Sequence, residues 1–125
     1  MNKVVIIAIA VLLVLVGTIY WAVSAGSRPD KLDQFAQCLK DRGAVFYGAF
    51  WCVHCQNQKA MFGRSVRFLP YVECSMPDGQ TQTSVCTAKG IKGYPTWEFS
   101  DGTRETGEVP LAVLAEKTKC ELPQN

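Results

Sequence analysis

The chain has 125 residues and a formal net charge of +2, which leaves room for one compact domain and an appendage. Its thirteen basic and eleven acidic residues are mixed along the sequence, so there is no basic patch and no case for nucleic-acid binding. Six cysteines in so short a chain argue for an oxidising compartment.

The appendage comes first. Val4 to Val23 is uncharged and almost wholly apolar. At 1.5 Å per residue, about twenty such residues span roughly 30 Å, the hydrocarbon thickness of a bilayer. Residues 1–25 therefore read as a signal anchor, with membrane attachment through this helix. Val23-Ser24-Ala25 also offers small residues suited to signal cleavage. Against cleavage, the apolar run exceeds the usual signal-peptide core, and Tyr20-Trp21 suit an interfacial anchor. Either reading exports the rest of the chain. The expected location is a single-pass cell-membrane protein with its folded part on the periplasmic or extracytoplasmic side. Residues 26–31 read as a linker with turn chemistry, and 32–125 as the folded domain.

In that domain Leu32, Phe35, Ala36 and Leu39 fall at helical spacing, and Gly43 suits the end of that helix. The run Ala44 to Phe50 is apolar without alternation, as in a strand buried on both faces. Gly48 within it points to close backbone packing. A second helix is predicted from about Cys52 to Val66, where no proline interrupts. Pro70 to Cys74 reads as a short strand, Ser75 to Thr83 as a polar loop, and Ser84 to Lys89 as a short helix. Gly93-Tyr94-Pro95 leads into a strand over Thr96 to Phe99. Asp101-Gly102 signals a hairpin with a partner strand near Thr103 to Thr106. Pro110 suits the first turn of a last helix. Alternating α and β units, then a hairpin, give an α/β domain: a mixed sheet of about four strands flanked by helices. That is the thioredoxin-like architecture, here with an N-terminal transmembrane helix.

Phe50-Trp51-Cys52-Val53-His54-Cys55 carries the chemistry. A strand, a Cys-x-x-Cys and a helix, in that order, mark a thiol–disulfide exchange site. Unpaired N–H groups at the helix start favour a thiolate at Cys52, and the thiolate is what attacks a disulfide. Cys52 is expected to be exposed, and Cys55, one turn in, to be shielded and to resolve mixed disulfides. A partly protonated His54 would add positive charge near Cys52, and stabilising the reduced form makes the disulfide a stronger oxidant. Half of a zinc site is the rival reading. Zinc would want a second tight pair of ligands, and Cys74 and Cys86 stand far apart. A purely structural disulfide is the other rival. No metal and no cofactor is required.

Tyr94-Pro95-Thr96 and Trp51 are candidate substrate-contact residues. In thioredoxin-like folds a cis proline faces the active cysteines, and the backbone beside it pairs with the substrate. Reductants of that fold keep a buried carboxylate in the strand before the motif, where this chain has Phe46. Joining Cys74 to Cys86 would staple the polar loop, a closure worth about 3 kcal/mol. Cys38 and Cys120 could pair, but the preferred reading leaves Cys38 a buried free thiol.

Four stretches carry a family resemblance: Phe35-Ala-Gln-Cys-Leu39, Tyr47 through Gln56, Pro70-Tyr-Val-Glu-Cys74 and Gly93-Tyr-Pro-Thr-Trp97. In combination they resemble the thioredoxin-like domain fused to bacterial and plant vitamin K epoxide reductase homologues, over about Leu32 to Leu114. The resemblance implies a disulfide donor to exported cysteine-containing proteins, reoxidised by a quinone-linked membrane oxidase of that type. It also implies a Cys74–Cys86 disulfide. Val53 stands where that family commonly has proline, Ser75 where Asp is usual, and a single anchor where it has four membrane helices. A reductase or isomerase using the same cysteines is the alternative function, and a redox-inert or metal-binding module a lesser one. With no dimerisation segment visible, a monomer is expected.

Overall fold

In a computed structural model, which describes residues 2–25 and 30–124, the apolar run forms one exposed helix, α1 (Lys3–Ala25). It is long and apolar enough to cross a membrane. Residues 26–29 of the expected linker lie outside the described residues.

The remaining elements are α2 (Asp33–Asp41), β1 (Val45–Gly48), α3 (Val53–Ala60), a 3-10 helix (Gly63–Phe68), β2 (Tyr71–Glu73), α4 (Ser84–Ala88), β3 (Thr96–Glu98), β4 (Arg104–Thr106) and α5 (Leu111–Thr118). The strands form one mixed sheet in the order β2-β1-β3-β4. Strand β1 pairs parallel with β2, Phe46 opposite Tyr71 and Gly48 opposite Glu73. It pairs antiparallel with β3, which pairs antiparallel with β4. This is the thioredoxin-like fold expected from the element order.

The sheet is short, and its burial is aromatic. Phe46 and Trp97, both fully buried, stack with centroids 4.9 Å apart. Phe46 also meets Tyr71 edge-on at 5.2 Å, and Phe62 stacks on Phe35 at 6.0 Å. Leu39 and Leu114, fully buried, join the same core, so α2 and α5 close one side of the sheet. Burying a side chain of this size contributes about 2 kcal/mol. Offset aromatic pairs add about 1 kcal/mol each.

Several elements are shorter than expected, and two of these differences shape the site. Strand β1 ends at Gly48, since Ala49 to Trp51 turn to deliver the cysteines. The helix predicted to reach Val66 stops at Ala60, and Gly63 takes a left-handed φ of +52° that no α-helix continues through. The chain then re-enters as a 3-10 helix. That redirection has a use: Ser65 donates its hydroxyl to Asp33 Oδ1 at 2.7 Å, and Arg67 reaches Asp33 Oδ2 at 2.6 Å.

Cys38 is not free. It is bonded to Cys120, Cα atoms 5.9 Å apart, because the chain after α5 turns back beside α2. Cys74 is bonded to Cys86 with Cα atoms 5.5 Å apart, closing the polar loop. Cys52 and Cys55 remain as thiols.

Candidate active site

The site is built where β1 stops. After Gly48 the chain turns, closed by Cys52 N–H on the Ala49 carbonyl at 3.0 Å. Cys52 caps α3 from an extended conformation, and its Sγ accepts the Cys55 N–H at 3.3 Å. A sulfur in that position meets one of the donors that a helix start leaves unpaired. Its S–H lies 3.7 Å from the Tyr94 carbonyl, and Tyr94–Pro95 is a cis peptide. The three expected parts, the cysteine pair, the helix start and the cis proline, are therefore in contact.

Cys52 differs from expectation in one respect. It is 7% exposed, not open to solvent, because the Tyr94 carbonyl covers its sulfur. Cys55 is 1% exposed, shielded as expected. Burial, with the Cys52 sulfur beside it, pushes the Cys55 thiol up to about 12. Gly48 explains how tightly it sits. A Cβ at Gly48 would lie 2.8 Å from Tyr71 Cε2, closer than real contacts come, and 3.0 Å from Cys55 Sγ, at their tight limit.

Behind the cysteines, β2 supplies groups that the sequence does not single out. Glu73 Oε1 accepts the N–H of Phe50 at 3.1 Å and of Ser75 at 2.9 Å. Its Oε2 accepts the Tyr71 hydroxyl at 2.7 Å. The carboxylate thus clamps the turn that leads into Cys52. Lys59 lies on the face of the Tyr71 ring, 3.4 Å from its centroid. Burial and the Glu73 carboxylate raise the Tyr71 phenol well above its ordinary range. Phe46, opposite Tyr71 in register, completes an aromatic floor and puts a ring where a carboxylate could stand in β1.

In front, Trp51, Cys52, Val53, His54, Lys92, Gly93 and Tyr94 line an open groove of about 510 Å³. The Trp51 indole N–H donates to Ser75 Oγ at 2.9 Å, and its ring meets Tyr94 edge-on at 6.0 Å. Gln82 donates to the Tyr94 hydroxyl at 2.6 Å and to the Ile91 carbonyl at 2.9 Å. Both groove aromatics are therefore held by residues of the loop closed by Cys74 and Cys86. Pro95 is buried behind Tyr94. Thr96 is not brought into the groove: it is buried, and its hydroxyl donates back to the Gly93 carbonyl at 2.8 Å.

His54 lines the groove, but its Nδ1 is 2.6 Å from Glu108 Oε1. The same oxygen accepts from the Asn57 amide at 2.9 Å. Those two partners, the imidazole first, hold the Glu108 carboxyl below its usual range. A charge on His54 is thus shared with a carboxylate, not offered to Cys52 alone. Buried Gln58 fixes this side by exchanging two bonds with the Val109 backbone, at 2.6 and 3.0 Å.

Sequence spacing could have found two of the missed residues. Lys59 lies four residues after Cys55, on the same face of α3, and Glu73 ends the strand that flanks Gly48. Glu108 and Gln82 had no such signal, since each reaches its partner only through the tertiary fold.

No established family profile matches the sequence. The chain is similar to a curated protein of Arabidopsis thaliana, the thiol-disulfide oxidoreductase LTO1: 43% identical over 107 residues, covering 82% of this chain. The chain spans 28% of that relative's length, so the likeness is to a segment of a larger protein. It supports thiol–disulfide oxidoreductase chemistry for the region that holds the cysteine pair.

Proposed function

We propose that this chain is a membrane-anchored thiol–disulfide oxidoreductase that donates disulfides to exported proteins through Cys52 and Cys55. One observation carries the reading. Among the described cysteines, only these two are unbonded, and they sit at a helix start against the Tyr94 carbonyl beside a cis proline. The aromatic floor below them, with Phe46 where reductants of this fold keep a carboxylate, favours the oxidant direction.

Transfer takes two exchange steps. A client thiolate attacks Cys52 of the Cys52–Cys55 disulfide; a client–Cys52 disulfide forms and Cys55 leaves as thiolate. A second client thiolate then attacks the client sulfur, a client disulfide forms, and Cys52 leaves. The client loses two electrons, which rest on the reduced pair. Trp51 and Tyr94 flank the attacked sulfur, and the backbone at Tyr94-Pro95 is where an extended client segment would lie, with Thr96 behind it. Reoxidation falls to a quinone-linked membrane oxidase of the vitamin K epoxide reductase type. α1 would hold the folded part, residues 32–125, at the extracytoplasmic membrane face, as a monomer. The family resemblance of the four motif stretches supports these last assignments.

Equilibrating the full chain in detergent with glutathione, read by Trp51 fluorescence, tests the direction of transfer. A potential above about −180 mV is expected of a disulfide donor, and a value near −270 mV would make the protein a reductase instead. A pair that exchanges no electrons with glutathione would overturn the enzymatic reading.

A further inference from the structure

The proposed first step asks for something the fold makes difficult. Cys55 must leave as a thiolate, yet it is 1% exposed and stands on an aromatic floor. A buried anion without a partner is strongly disfavoured. Thioredoxin-like sites can draw on a carboxylate beneath the cysteines to move protons, and here Phe46 fills that depth, packed between Trp97 and Tyr71.

The molecule supplies a cation instead. Lys59 comes four residues after Cys55 on α3, one turn along the same face. Lys59 is half-buried as a residue, and its ammonium is seated 3.4 Å from the centroid of the Tyr71 ring. The edge of that ring and the Cys55 sulfur converge on one point, the space that a Cβ of Gly48 would fill. Tyr71 is fixed in turn by its hydroxyl bond to Glu73. A lysine side chain is otherwise free to swing into water, so a ring that captures its ammonium beside a buried sulfur is a positioning device.

We propose that Lys59 is the positioning residue that stabilises the Cys55 thiolate, held for that role by the face of Tyr71. This rests on the oxidoreductase reading above. In the first step the S–S bond breaks, the electron pair goes to Cys55 Sγ, and the developing negative charge meets the Lys59 ammonium. Afterwards Cys55 takes a proton from solvent. In reverse, the same charge readies Cys55 to attack a mixed disulfide at Cys52 and release a trapped client. The second client attack expels Cys52, not Cys55, so it does not depend on Lys59. The other titratable groups facing this sulfur are Cys52, Tyr71 and, through Tyr71, Glu73. Lys59 is the cation among them, and Coulombic attraction to it opposes the effect of burial on the thiol.

Two measurements on the full chain in detergent test this. A preformed mixed disulfide between Cys52 and a single-thiol peptide is resolved by Cys55 at a rate that, at fixed pH, follows its thiolate fraction. Lys59→Met is expected to slow that release about threefold, and Lys59→Arg to restore it. In the otherwise native oxidised protein, Lys59→Met should slow the first attack by a dithiol peptide severalfold and leave the second attack unchanged. A lysine that merely packs on α3 would change neither the release rate nor the ratio of the two attack rates. An unchanged release rate in Lys59→Met would overturn the proposal. Should that variant not fold, Lys59→Gln carries the same comparison. If the unmodified protein oxidised no dithiol, the donor reading would fall, while the release rate would still decide the role of Lys59.

Discussion

Glu108 shows how much one side chain can change the reading of another. His54 alone would be a positive charge beside a nascent thiolate, and its pairing with Glu108 at 2.6 Å cancels part of that charge. Replacing Glu108 with Gln removes that carboxylate and should therefore make the Cys52–Cys55 disulfide more oxidising. The rise should be on the order of 10 mV, because both partners are partly exposed and water screens them. The glutathione equilibrium reads it, and an unchanged potential would show that His54 does not act on Cys52. Gly48→Ala belongs at the same scale. Its methyl would press on Tyr71 and Cys55 Sγ, so a loss of about 2 kcal/mol in urea unfolding is expected, with slower dithiol oxidation. The close packing at Gly48 was legible because an apolar run rarely tolerates a glycine without a reason. The His54–Glu108 contact was not, since the two residues stand 54 apart in sequence and nothing local about either marks the other.

Among the elements, the instructive difference is α3. Its apolar residues continue past Ala60, so periodicity extends the helix to Val66, whereas the backbone breaks at Gly63. What competes with helix continuation is a network some thirty residues away. Asp33 accepts from the Asp30 N–H at 3.0 Å, Ser65 and Arg67, tying the start of α2 to the 3-10 helix. Burial alone would raise the Asp33 carboxyl, but these donors hold it below the usual carboxylate range. A group depressed in the folded state adds stability above its unfolded value and loses it as pH falls through the folded one. Urea midpoints should therefore drop below about pH 4, and less so in Asp33→Asn. Ser65→Ala removes one buried donor and should cost about 1 kcal/mol at neutral pH. The strands fared better in order and position than in length, with β1 ending at Gly48, because their signals are local. The apolar run, the Asp101-Gly102 turn and the Pro95 junction each act within a few residues.

At the scale of the whole molecule, the Cys38–Cys120 bond spans 82 residues of sequence, from α2 to the segment after α5. Cross-linking so long a loop restricts the unfolded chain strongly, by about 4 kcal/mol in the entropy account. Cys38→Ala with Cys120→Ala should lower unfolding stability by about that much and leave the Cys52–Cys55 potential unchanged. A shifted potential would mean that this bond reaches the site. Element order could be read from the sequence, and so could the architecture, because turns and helix signals are local. Which distant cysteine meets which could not, because that depends on where α5 ends in space. The Cys74–Cys86 bond has a different bearing, since the loop it fastens carries Ser75 and Gln82, which hold Trp51 and Tyr94. A newly made chain carries six thiols and no fastened loop. The walls of its groove take their final form only after electrons have been withdrawn from cysteines outside that groove. Before it could serve any other protein, the molecule would have to be a client itself.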